Sequence, residues 1–160
     1  MRSVAKIIFV VVASLFLLAC DGNKVFEAYI EVEDANWKKE NIANFAFEVE
    51  DTLSAHNIYL NIRNTGDYPY SNLYLFVKTT GPDGKFNIDT VNCILANNRG
   101  QWKGKGIGDL WDLQVPYIGS FKFAHKGEYN ISLEQAMRVE SDLKGITDVG
   151  IRVEKSVNLE

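Results

Sequence analysis

Leu73-Tyr74-Leu75-Phe76-Val77 is apolar at five consecutive positions. An unbroken apolar run of this length reads as a central strand covered on both faces. Downstream, Gly81-Pro82-Asp83-Gly84 has the composition of a tight turn, and the strand it introduces runs from Phe86 towards Leu95, so a hairpin is expected there. Working outward, apolar residues recur at every second position, the period of half-buried strands. This holds for residues 25–33, for Phe45, Phe47 and Val49 against Ala46 and Glu48, and for Ile58, Leu60 and Ile62 against Tyr59, Asn61 and Arg63. The alternation returns at residues 117–123, 129–133 and 149–154, while Glu134-Gln135-Ala136-Met137-Arg138 suits a turn or two of helix. With no long helical segment, the expected fold is all-β: a single antiparallel β-sandwich of about eight strands with Greek-key or jelly-roll links.

Between Ala96 and Pro116 the alternation breaks. Asn97-Asn98-Arg99-Gly100 and Gly104-Lys105-Gly106-Ile107-Gly108-Asp109 are turn-rich, yet Trp102, Leu110, Trp111 and Leu113 lie among them. A long loop is expected, and loops of that length are often functional. Its glycines permit positive φ or a close crossing over the sheet.

The N-terminus fixes the compartment. Arg2 and Lys6 precede twelve uncharged residues, Ile7 to Leu18, followed by Ala19 and Cys20. Twelve helical residues cover roughly 18 Å, short of the ~30 Å hydrocarbon core, so this is a secretion signal and not a span. Leu17-Leu18-Ala19-Cys20 resembles the bacterial lipoprotein signal, which implies acylation of Cys20 and cleavage ahead of it. An ordinary secretory signal cut near Ala19 is the alternative. The division is then residues 1–19 as lipoprotein signal peptide, 20–24 as lipidated N-terminus and short tether, and 25–160 as the sandwich domain. Two or three acyl chains, at about 0.8 kcal/mol per buried CH₂, hold a small domain firmly at a membrane.

The full chain carries 17 basic and 21 acidic residues, and Arg2 and Lys6 leave with the signal, so the mature part stands at 15 minus 21, or −6. No basic cluster interrupts it, which argues against nucleic acid and against headgroup binding by charge alone. Cys93 is the one other cysteine and reads as a small apolar strand residue.

Chemistry is sparse. His56 and His125 sit in polar turns, and neither HExxH nor CxxC occurs, so no metal site is expected. Asp83 with Asp89, and Asp109 with Asp112, lack calcium-loop spacing and read as surface acids in turns. The glycine-rich 104–109 stretch lacks a P-loop's GK[ST], so no nucleotide or other cofactor is expected. The candidate partner-binding residues are aromatic: Tyr68-Pro69-Tyr70, a proline-stiffened turn, together with Trp102 and Trp111. The plainer reading is that these rings cap the ends of the sandwich. A carbohydrate-binding role is the competing reading, and it requires several of Trp37, Trp102 and Trp111 to stand exposed and coplanar on one face, so that burial of all three would end it.

The run Asn61-Ile62-Arg63-Asn64-Thr65-Gly66-Asp67-Tyr68-Pro69-Tyr70-Ser71-Asn72-Leu73-Tyr74-Leu75-Phe76 resembles the central motif of the gliding-motility lipoprotein GldH family of Bacteroidota. Gly81-Pro82-Asp83-Gly84, the 104–109 stretch, residues 134–138 and residues 145–154 are similar too, in the same order. The resemblance implies a non-enzymatic envelope lipoprotein supporting gliding and the associated type IX secretion machinery. Its implied partners are the membrane, through the lipid on Cys20, and other gliding or secretion envelope proteins. No catalytic residue and no small-molecule substrate carries over. The single acid after the cysteine, Asp21, fits a periplasm-facing protein and leaves inner and outer membrane equally open.

Overall fold

The structure, a computed structural model, describes residues 21–138 and 141–156. Cys20 and the signal segment lie outside the described residues. Among those described are eleven strands: β1 (Lys24–Glu31), β2 (Asn36–Lys38), β3 (Ala43–Val49), β4 (His56–Thr65), β5 (Asn72–Thr80), β6 (Phe86–Ile94), β7 (Lys105–Ile107), β8 (Leu110–Phe121), β9 (Gly127–Gln135), β10 (Asp142–Lys144) and β11 (Ile146–Lys155). They form a first sheet ordered β1-β11-β4-β8-β7, a second ordered β3-β9-β5-β6, and a two-stranded β10-β2 ribbon, all antiparallel.

The period-two pattern explains how the two large sheets meet. Along β3, Ala43, Phe45, Phe47 and Val49 are buried while the residues between them are exposed. Ile58, Leu60 and Ile62 of β4 and Val149, Ile151 and Val153 of β11 turn inward to join Phe45, Phe47, Leu75, Val77, Ile131 and Leu133 in one core. The chain passes directly between the two large sheets at four connections, β3–β4, β4–β5, β6–β7 and β8–β9, and by way of the β10-β2 ribbon between β1 and β3 and between β9 and β11. Only the hairpins β5–β6 and β7–β8 join neighbours within a sheet.

The all-β sandwich is as expected, with more strands than the alternation marks. The extra ones are the three-residue β2, β7 and β10, too short to display a period. Three local expectations change. The five-residue apolar run is an inner strand of its sheet, but it is covered on one face only: Leu73, Leu75 and Val77 are fully buried, whereas Tyr74 and Phe76 open outward. The 96–116 stretch is not one loop, because β8 begins at Leu110 and pairs with β4 as far as Phe121. Pro116 lies opposite Tyr59, where the register shifts, and a proline is tolerated at such an irregularity. Glu134 and Gln135 complete β9, opposite Phe76 and Leu75, so residues 134–138 form no helix. Pairing along β5 outweighs the weak local preference.

The strand directions gather the loops at two ends. One end holds residues 21–24, the 50–55 link, the 81–85 turn, the 122–126 link and Lys155. The other holds the 66–71 link, the 96–104 segment and the β10-β2 ribbon.

Candidate interaction surface

The two outer faces of the sandwich differ in chemistry. On the first sheet the outward side chains satisfy one another. Arg63 lies 4.0 Å over the Tyr29 ring, donates to Asp112 at 2.9 Å and sits 3.6 Å from Asp148. Arg152 pairs with Glu154 at 2.8 Å, with Glu27 at 3.3 Å, and with Asp21. Tyr59 donates its hydroxyl to Glu154 at 2.9 Å, and the Gln114 amide donates to Asn61 at 3.2 Å. The hydrogen bond to Asp112 and the surrounding carboxylates raise the Arg63 pKa above its ordinary value, and Asp21 does the same for Arg152. This is a closed ionic lattice on a wet face.

The second sheet presents hydrocarbon instead. On β5, Tyr74 and Phe76 point out, and on β6, Phe86, Ile88 and Ile94 do the same, each between 40% and 61% exposed. The register places Ile88 opposite Lys78 and Thr90 opposite Phe76, so Phe76 and Ile88 are diagonal neighbours on one face. Phe76 forms a ridge between two grooves. One, of about 560 Å³, runs along Tyr74, Thr90, Met137 and Arg138; the other, of about 530 Å³, runs along Ile42, Ile88, Ser132 and Glu134. Lys78 extends its ammonium 4.6 Å over the Phe86 ring. Contiguous apolar surface of this kind, rimmed by polar groups, marks interaction sites. β6 is also the edge of its sheet, nine residues long and paired on one side alone.

The aromatic residues expected to meet a partner are placed differently. Tyr68 is buried, its hydroxyl donates to the Asn72 carbonyl at 2.8 Å, and burial pushes its pKa up. Tyr70 stacks edge-on against it at 5.8 Å and Trp102 leans on it at 6.3 Å, both half-buried, while Pro69 is exposed. The three rings therefore cap one end of the sandwich. Trp111 is half-buried across Gly106, where an added Cβ would sit 2.5 Å from the indole; only glycine lets β7 pass so close. Trp37 is in the core, its indole N–H donating to the Asn41 carbonyl at 2.8 Å. Sugar stacking needs several of these tryptophans exposed on one face, whereas Trp37 is buried and Trp102 and Trp111 are each half-buried.

Sequence reasoning missed the outer face of β5 and β6 because an apolar run at every position looks the same whether it is covered twice or once. A signal was present in Phe86-Asn87-Ile88-Asp89, where apolar residues share a face with Thr90 and Asn92 and the acid takes the inward side. There Asp89 accepts a 2.5 Å hydrogen bond from the Tyr117 hydroxyl. Elsewhere, no group of three or more His, Cys, Asp or Glu side chains among the described residues is arranged to hold a metal ion. Cys93 is fully buried in β6, and burial pushes its thiol up to about 12.

The family model described as "GldH lipoprotein" matches residues 24–153. The chain belongs to the GldH lipoprotein family. It is 35% identical over 164 residues to the "Gliding motility lipoprotein GldH homolog" of Christiangramia forsetii, covering 99% of this chain and 100% of that protein. It is likewise 35% identical over 150 residues to "Gliding motility lipoprotein GldH" of Flavobacterium johnsoniae, covering 89% of this chain and 92% of that one. No solved structure matches it. GldH membership makes this a lipid-anchored protein of the cell envelope, and the family and relatives' names carry no catalytic activity.

Proposed function

We propose that this GldH-family protein is non-enzymatic, is acylated on Cys20, and supports gliding motility and the associated type IX secretion machinery by docking other envelope proteins while facing the periplasm. The observation that carries the reading is the contrast between the two faces: one sheet spends its outward charges on internal ion pairs, and the other leaves five large apolar side chains unpaired. Exposed apolar area of this extent is a liability in a monomer and an asset in an assembly. The motility role is supported by the relatives' names. The non-enzymatic reading is supported by the state of His56, which is buried against Phe123 with an unpartnered Nδ1 and so is unavailable as a base to any solvent-borne substrate.

The test is Cys20→Ala in cells lacking the wild-type protein. The variant is expected to keep its fold, since Cys20 precedes every strand of the described residues, and to lose membrane fractionation together with motility or secretion. A soluble Cys20→Ala protein that restores full function would overturn the tethered mechanism.

A further inference from the structure

Residues 21–24 are strapped to the body. Asp21 pairs with Arg152, its carbonyl accepts the Lys24 N–H at 3.2 Å, and the Asn23 carbonyl accepts the Lys155 N–H at 2.8 Å. One residue further back is Cys20. A single residue reaches no more than about 3.6 Å, so the acylation proposed for Cys20 would attach lipid within that distance of Asp21, which sits beside Arg152. The end of the sandwich that carries the 50–55, 81–85 and 122–126 segments is therefore brought against whatever holds the lipid.

That end is built to lie on such a surface. Leu53 is 86% exposed at the tip of the 50–55 link, and its position is fixed from below. Asp51 accepts the N–H groups of Leu53 and Ser54 at 3.0 Å each, the Ser54 hydroxyl at 2.7 Å and the Lys155 ammonium at 2.8 Å. A carboxylate so held presents the leucine at little further entropic cost on insertion. Around it three acids are paired: Asp51 with Lys155, Glu50 with Lys126 at 3.7 Å, and Asp83 with Lys85 at 3.0 Å. Lys122 is exposed and makes no ion pair among the described residues.

We propose that this end, with Leu53 inserted into the headgroup region and Lys122 beside it, rests on the phospholipid surface that holds the N-terminal acyl chains. The proposal rests on acylation of Cys20. It stands the strands on the membrane, so that the apolar face of β5 and β6 is presented sideways and the Tyr68–Trp102 end points away. The occupant is lipid and not a second protein because the anchor itself delivers this end to the bilayer.

The experiment uses mature protein purified from envelopes and reconstituted into phosphatidylethanolamine–phosphatidylglycerol vesicles, with a polarity-sensitive fluorophore on Leu53→Cys, on Lys122→Cys or on Asn98→Cys at the far end. Buried Cys93 does not compete for the label. Lipids brominated high on the acyl chain are expected to quench the probes at positions 53 and 122 severalfold more than the probe at 98. Equal quenching at all three positions, with intact mass showing an acylated N-terminus, overturns the membrane-seated end and leaves the anchor standing. An unacylated mass overturns both.

Discussion

His56 opens β4 with its ring enclosed by Phe123 at 5.1 Å, and its Nδ1 has no hydrogen-bond partner. Burial lowers its pKa from the ordinary 6.5; nearby Asp51 pulls the other way and Lys155 adds to the lowering. The folded protein thus protonates this imidazole less readily than the unfolded chain does. As pH falls through about 6.5 the unfolded state takes up more proton than the native state, and stability declines. Urea unfolding between pH 7.5 and 5 is expected to show that decline in the wild type and a flatter profile in His56→Phe. The carboxylate of Asp51 is held well below its usual 3.8 by the Lys155 hydrogen bond, so its loss belongs to a more acidic window. Identical slopes in the two proteins would contradict the burial argument.

Leu75 and Phe76 are consecutive in β5 and face opposite media, which makes this strand the place to separate stability from function. Leu75→Ala removes a fully buried side chain and is expected to cost about 2–5 kcal/mol in chemical denaturation. Phe76→Ser and Ile88→Ser alter half-exposed residues whose main losses are cross-strand contacts, and each is expected to change stability by less than about 1 kcal/mol. The two serine variants should nonetheless fail to restore motility or secretion. Full restoration by the double variant at normal abundance would remove this face from the mechanism.

How far the elements were legible follows from the same strands. β3 could be read directly, because Phe45, Phe47 and Val49 alternate with residues that face water. The hairpin at residues 81–84 was equally plain, since Gly84 takes φ +77 at its turn. β5 was located correctly but given the wrong environment, because periodicity cannot tell a strand buried on both sides from one with a greasy outer face. β8 was obscured by Pro116 and by the glycines that let β7 fold over Trp111. Of the aromatic candidates, Tyr68 and Trp102 proved to be end-capping rings, and the apolar face of β5 and β6 emerged only once two strands were set side by side.

The whole molecule has three distinct boundaries. The first sheet's outer face is an ionic lattice anchored by Arg63 and Arg152, the second sheet's outer face is apolar, and one end carries Leu53 together with the strapped residues 21–24. Charged residues that pair internally give a partner nothing to bind without first breaking those pairs, whereas burial of exposed hydrocarbon contributes about 25 cal/mol per Å² removed from water. With the proposed lipid anchor at the Leu53 end, docking falls to the apolar face of β5 and β6. The most direct measurement is photocrosslinking in living cells with a photoreactive amino acid at Ile88 on the second sheet or at Tyr59 on the first. The account predicts a discrete adduct with another envelope protein from position 88 and none from position 59; adducts from 59 alone, or equally from both, would contradict it.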